Sequence, residues 1–342
     1  MSSPTPQNRP VLAANRSTAQ SHPNRIDANN GRSTPLLGVV YWAPARSLWF
    51  SLMYGGALLG GSATFRLDAL ALCLITSAIA LCAGYSVGIH RRLIHNSFQC
   101  HPIVEAFLVY LGTLAGLGGP FSLTERHDIR EWAQSSPRCH RYFISRRNPL
   151  VDWLQNIHCE IQLSYPPVIR YETRLTRNWF YQWLEQTWML QQLPLAIAFY
   201  HYGGWSWVFW GIYVRISLCA TLVWLAHYLP ARFGQRPLYA KNAAVQLGNI
   251  PALGLLTMGE SWQNHHQNIP HSARFGVRSH ADPGWWFVQL LSSTGLAWNI
   301  CNRKQLQTSP SQTVAKRRAP VRAASMPTEL SQLAPLAKYR KS

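Results

Sequence analysis

Long uncharged stretches alternate with polar, basic ones through the middle of this chain, at a spacing far too wide for strands. The clearest stretch, residues 69 to 89, carries no charge over about 21 positions, the length a helix needs to cross a hydrocarbon layer of about 30 Å at 1.5 Å per residue. It ends at His90-Arg91-Arg92, a basic stop that belongs on the cytoplasmic side of a membrane. Residues 47 to 62 form a shorter apolar run, with Tyr41, Trp42 and Trp49 as interfacial anchors. Residues 188 to 202 and 205 to 229 supply two more, the latter with Trp205, Trp207, Trp210 and Trp224. Residues 103 to 120 are apolar but hold Glu105 and end Gly118-Gly119-Pro120, the pattern of a re-entrant or protein-buried segment.

The pattern predicts an all-α, polytopic membrane protein with about four transmembrane helices in two pairs, topped by a cytoplasmic helical cap. Residues 121 to 186 are polar with alternating charge and belong to that cap, as does an amphipathic helix over residues 285 to 296. Residues 1 to 35 and 303 to 342 lack periodicity and bulk and read as disordered basic tails, leaving residues 36 to 302 as the membrane domain. No apolar stretch precedes residue 36, so insertion is expected to use internal helices rather than a cleaved signal. Both termini and the histidine-rich segments then fall on the cytoplasmic side.

Composition sharpens this picture. Charged residues make up 13% of the chain, against about 25% in soluble domains. The mean hydropathy of -0.09 averages apolar spans with polar tails. The net charge of +19 raises nucleic acid as a partner, but much of it is terminal: residues 303 to 342 hold nine Lys or Arg against Glu329 alone. Such tails fit anionic lipid beside a membrane, and no nucleic-acid partner is expected. The seven cysteines form no CxxC pair, which argues against a disulfide framework or a zinc ribbon and for a reducing surrounding.

Chemistry concentrates in the histidines. His90 and His95 follow the long span directly; on an ideal α-helix a five-residue separation turns their rings about 140° apart, enough to serve two neighbouring metals or to straddle a helix end. His127 and Glu131 are four apart and share a helical face, although a solvated charged helix would show the same pattern. His140 and His158 lie further along, each beside a cysteine, and His265, His266 and His271 gather near Glu260. Histidine clusters without cysteine partners suit iron better than structural zinc. Arg91, Arg92, Arg138 and Arg141 are open to two readings, positive-inside topology or a headgroup site.

The stretches GYSVGIHRRLIHNSF, LGTLAGLGGP, GLLTMGESWQNHH and DPGWWFVQLL resemble, in order and spacing, the membrane-bound acyl-CoA and acyl-lipid desaturases, over residues 48 to 300. The resemblance implies a four-helix membrane fold and two irons (Fe2+) held by nine histidines. It implies insertion of a double bond into a fatty acyl chain, on acyl-CoA or acyl-lipid, with O2 and electrons from a separate donor such as ferredoxin or cytochrome b5. It places His90 and His95 on the first histidine box. His127 falls on the first position of the second, where Arg130 and Glu131 replace the next two histidines. His266 falls in the third box, where Gln263 and Gln267 replace histidines. Asn264 and Asn249 match asparagines of the iron surroundings, and Ala231 stands at a further histidine position, with His227 four residues earlier. The catalytic set is thus His90, His95, His127 and His266, and the metal shell is expected to be completed from Glu131, His140, His158, His227 and His265. The alternative is a catalytically silent relative that binds acyl lipid or a protein partner.

Overall fold

A computed structural model describes residues 25 to 28, 32 to 276 and 281 to 302. Short strands β1 (Ile26–Asp27) and β2 (Thr34–Trp42) precede α1 (Pro44–Gly56), which opens on Pro44, where a missing N–H costs nothing. A π-helical turn, Ala57–Gly61, extends α1. Helix α2 (Leu67–Ile79), with Asp68 against its N-terminal dipole, runs without a break into a second π-helix, Ala80–Ile94. Then come β3 (Gln99–Cys100), α3 (Pro102–Leu114), α4 (Pro120–Ser135) and α5 (Pro149–His158). Strands β4 (Cys159–Tyr165) and β5 (Val168–Ile169) lead to α6 (Thr173–Thr176) and α7 (Trp179–Thr187). Helix α8 (Gln192–Val208) is joined by the π-helix Phe209–Val214 to α9 (Arg215–Arg232). A loop-rich stretch follows, carrying α10 (Gln263–Asn268), α11 (Pro283–Ser293) and β6 (Ala297–Trp298).

The chain is mostly helical, as expected, but not purely so. Strand β2 pairs antiparallel with β4, from Gly38 opposite Leu163 to Trp42 opposite Cys159, and β1 with β5 and β3 with β6 make two shorter ribbons. Val39, Val40 and Tyr41 favour the extended backbone, so Tyr41 and Trp42 sit at the end of a strand that runs directly into α1. Among the described residues, two helical runs are long and apolar enough to cross a membrane, Leu67–Ile94 and Gln192–Arg232. The second contains Gly204 at φ 62°, a left-handed backbone that breaks the helix. Phe199 before the break packs on Gly211 and Trp207 after it, so the two arms fold back on one another. They correspond to the two apolar stretches expected there.

Helix α3, at 13 residues, is about 20 Å long, short of the membrane thickness. It lies antiparallel against the π-helix, Gly84 facing Leu111 and Gly112 while Gly88 faces Leu108. The absence of side chains lets the backbones touch. The buried Arg215 ties this pair to the second: its guanidinium donates to Gly211 O at 2.6 Å, to the Leu114 carbonyl at the end of α3, and to Gln192 Oε1. Around these helices Leu58, Leu59, Leu74, Ile75, Leu193 and Ile197 are all exposed, an apolar surface that water alone would not favour.

At the other end, α4 to α7 form the cap from residues 120 to 187. Arg25 lies within the segment read as a tail, yet it is buried, donating to Leu93 O and Ile94 O at 2.8 and 2.9 Å and pairing with Asp128 and Glu172. Residues 26 to 28, with β1 paired to β5, and residues 32 to 35 of the same segment are also described, and the rest of both tails lies outside the described residues. In the cap, α11 begins at Pro283, two residues before the amphipathic helix expected from residue 285, with Asp282 as its N-cap.

The Gly84 contact yields a test. A Cβ at Gly84 would meet the backbone of Leu111 and Gly112, whereas one at Gly55 meets nothing within 4 Å. Gly84→Ala is expected to destabilise the detergent-solubilised protein by about 1–3 kcal/mol, read as a lowered unfolding midpoint, with Gly55→Ala unchanged.

Candidate metal centre

Four histidines from three separate parts of the chain meet above the helix pair. His90 lies on the π-helix Ala80–Ile94 and His95 at its C-cap, His127 on α4 and His266 on α10. The π-helix changes the arithmetic for the first two. Its hydrogen bonds span five residues, and the His95 amide bonds to His90 O at 3.1 Å, which stacks residues five apart one turn above another. The rings that an α-helix would splay by about 140° have centroids 4.9 Å apart. His127 stands 4.7 Å from the His90 ring and 4.9 Å from the His95 ring, and His266 4.6 and 4.7 Å from the same two.

One donor atom from each of the four lies within 4.8 Å of every other. With metal–nitrogen bonds of about 2.0–2.1 Å, opposite ligands of one ion stand about 4 Å apart, so this is a coordination-sized cage. The nitrogens themselves call for a cation. His95 Nε2 and His266 Nδ1 are buried with no hydrogen-bond partner, a costly state for polar atoms. His90 Nε2 and His266 Nε2 face one another at 3.2 Å. Burial and the neighbouring histidines hold the pKa values of His95 and His266 well below the ordinary imidazole range, so both are neutral and available as ligands. Burial also opposes charge on His127, but Asp128 and Glu131 outweigh it and raise its pKa. Glu131, one turn along α4 from His127, brings Oε1 to 3.8 Å from His266 Nε2. The residues fit iron: imidazoles in majority, a carboxylate adjacent, no thiolate.

Behind the cage lies a buried ionic network. Glu260 Oε2 accepts from His90 Nδ1 at 2.5 Å, which fixes that ring's tautomer and points Nε2 inward. Its other oxygen accepts from Ser86 Oγ at 2.5 Å and from Arg91 at 3.2 Å. Arg91, fully buried, also pairs with Asp282 Oδ1 at 2.7 Å and donates to Ala273 O at 2.8 Å. Its guanidinium lies 3.8 Å from the Phe275 ring centroid, and that ring packs on His90 and His266. Asp282 in turn accepts from the amides of Phe275 and Gly276, each at 2.9 Å. Burial raises the pKa of Glu260, while its cationic neighbour favours the carboxylate. The sequence offered Glu260 and the Asp282-Pro283-Gly284-Trp285 motif without assigning them these roles, and Arg91 is neither a free topology charge nor a headgroup ligand. Arg92 is likewise committed, to Glu105 at 2.5 Å.

The other expected ligands stand elsewhere. Asn249 Oδ1 accepts from the amides of Asn264 and His265 at 3.0 and 3.2 Å. Asn264 uses Nδ2 on Leu238 O and Leu247 O and Oδ1 on the Leu238 amide. Both therefore clamp α10 onto the loop before it. His140 Nδ1 caps the Tyr142 amide at 3.2 Å, and His158 Nδ1 meets Ser47 Oγ at 2.7 Å. His227 Nδ1 donates to Val223 O at 2.8 Å. These three and His265 lie outside the four-histidine group. Two cavities reach the cage: a larger one of about 650 Å³ bordered by His95, His127, His266 and Glu131, and a smaller one of about 120 Å³ bordered by His127, Phe50, Tyr85, Val223 and Trp224. The apolar wall of the smaller comes from Tyr85 on the first long helical run, Val223 and Trp224 on the second, and Phe50 on α1.

No protein-family model matches the chain. Individual proteins do. It is 31% identical over 257 residues to the sn-1 stearoyl-lipid 9-desaturase of Anabaena variabilis, an alignment covering 74% of this chain and 92% of that protein. It is 30% identical over 246 residues to the sn-2 palmitoyl-lipid 9-desaturase of Nostoc sp. (strain 36), covering 69% and 79%. An acyl-CoA C20 Delta5-desaturase of Anemone leveillei is 28% identical over 264 residues, covering 73% and 81%. With a histidine cage of metal-binding dimensions and relatives aligned over most of their own length, the chain belongs to the fatty acid desaturase family.

Proposed function

We propose that this protein is a multi-pass membrane oxidoreductase that introduces a double bond into a fatty acyl chain, carried on a lipid or on coenzyme A, using O2. The observation that carries this reading is the convergence of His90, His95, His127 and His266 on one point, at the end of a cavity with an apolar wall. The two most similar relatives named above act on lipid-linked chains, which favours an acyl-lipid.

An unactivated methylene C–H bond is beyond side-chain acid–base chemistry, so iron bound in the cage would supply the oxidising power. The chain's own residues do the rest. His90, oriented by Glu260, and His95, His127 and His266 set the ligand geometry. Phe50, Tyr85, Val223 and Trp224 hold an alkyl chain against His127 and exclude water. Arg46, Arg126 and Asn156 border the same cavity and suit a polar or anionic head. Removing two hydrogens from –CH2–CH2– releases two electrons and two protons. Reducing O2 to two waters consumes four of each, so a separate donor of the ferredoxin or cytochrome b5 type supplies the other two electrons and solvent the other two protons. The four-span topology, with cage and termini on the cytoplasmic side, is part of this proposal: the folded-back arms at Gly204 and the exposed leucines support it.

A silent scaffold would keep the fold without needing the cage nitrogens. Fatty-acid profiling of a host expressing the chain with a donor separates the two: a new unsaturated species is expected, falling to background in His90→Ala. A profile unchanged by the wild-type chain, when that chain holds iron, would sink the catalytic reading.

Glu260 gives a sharper test. Glu260→Gln keeps the side-chain shape but removes the negative charge behind His90, and iron affinity or turnover is expected to fall about 10–100-fold. Equal affinity and turnover in the variant would show that the carboxylate does not tune the ligand.

A further inference from the structure

We propose that this centre holds a single metal ion, bound by His90, His95, His127 and His266 with Glu131 beside it, and that Arg130 occupies electrostatically the place a second ion would require. The inference deepens the oxidoreductase reading and rests on the same cage, but concerns the number of ions rather than the reaction.

A two-ion centre places its ions about 3.5–4 Å apart and gives each its own ligands. The four histidine donors form one shell, all within 4.8 Å of one another. A second ion would have to draw on the side chains around it, and these are largely committed. Asn249 Oδ1 receives two backbone amides, and Asn264 is bonded at both ends. Gln267 Oε1 accepts from the Leu247 amide at 3.0 Å while its Nε2 donates to Val245 O at 2.7 Å. Gln263 is anchored by Nε2 to Glu260 O at 2.7 Å. What remains along the larger cavity is His227, His271 and Glu131, and Arg130 borders it with them.

A guanidinium cannot lose its proton in a protein, so Arg130 is a permanent cation on the wall of the cavity that a second ion would share with His227, His271 and Glu131. Repulsion between the two is strong in a partly buried site. Glu131 serves the arrangement from the other side. Its carboxylate is the nearest anion to His266 among the ion pairs of the cage, and it lowers the net charge of one ion ligated by neutral imidazoles.

The test is metal stoichiometry on the full chain, purified in detergent, loaded with Fe2+ under anaerobic reducing conditions and freed of excess iron. Elemental analysis is expected to give one iron per chain, and mild oxidation to give the electron paramagnetic resonance signal of isolated high-spin ferric iron. Two irons per chain with a spin-coupled, signal-silent ferric pair would overturn the single-ion assignment and leave the oxidoreductase reading standing. No bound iron would overturn both. In His227→Ala the iron content is expected to be unchanged, and in His95→Ala lost. Loss of iron in a His227→Ala protein that still elutes as the wild type would also reject the assignment. The wild-type stoichiometry does not depend on either variant folding.

Discussion

Glu260 sits buried between His90 and Arg91, and the rest of the centre is arranged around that carboxylate. Isolated in an apolar interior it would take up a proton. Arg91, Ser86 and His90 surround it and favour the carboxylate against that burial, and Arg91 in turn is balanced by Asp282. The network joins the π-helix to the loop before α10 and to the N-terminus of α11. Removing one charge would leave its partner buried and uncompensated, which is costlier than losing the whole set. The glycines around it follow from the same crowding. A Cβ at Gly259 would strike Asp282, and one at Gly284 would strike Arg91 and Ser86.

The long apolar helices show a related device. Arg215 lies inside an apolar run and ends on two main-chain carbonyls and Gln192. The Leu114 carbonyl it takes is one that the end of α3 leaves unbonded. A cation thereby caps the C-terminal end of a helix too short to cross a membrane, and fixes it within the protein.

Much of this was legible in the chain, and the failures have physical causes. The apolar runs around residues 69 to 89 and 205 to 229 announce themselves by length, and Gly203-Gly204 marks the break between the last two arms. His127 and Glu131 follow from their four-residue spacing on a regular α-helix. The His90–His95 geometry does not, because the sequence carries no mark of π winding, and ideal α-helical phase sends the rings apart. Arg91 and Arg92 match a basic stop signal in every respect visible in one dimension; only the fold shows their partners, Asp282 191 positions beyond Arg91 and Glu105 13 beyond Arg92. His140 and His158 were attractive as spare ligands because any histidine near the right segment is, yet each meets a local cap or hydroxyl first.

The charges near the cage constrain what it can do. Four imidazoles bring no negative charge to a divalent ion, so compensation must come from carboxylates close by. Glu260 is reached through His90, and Glu131 lies directly beside His266. Asp128 shares its charge between His127 and the buried Arg25. Arg25 thus links the strand at the start of the described chain to the ligand helix α4, while bonding the carbonyls of Leu93 and Ile94 just before His95. The carbonyls freed where the π-helix ends are the ones Arg25 takes, so the turn that carries His95 into the cage is held by a residue about 70 positions upstream. Ligand geometry here is set less by the histidines than by the ionic contacts that leave each ring only one way to face.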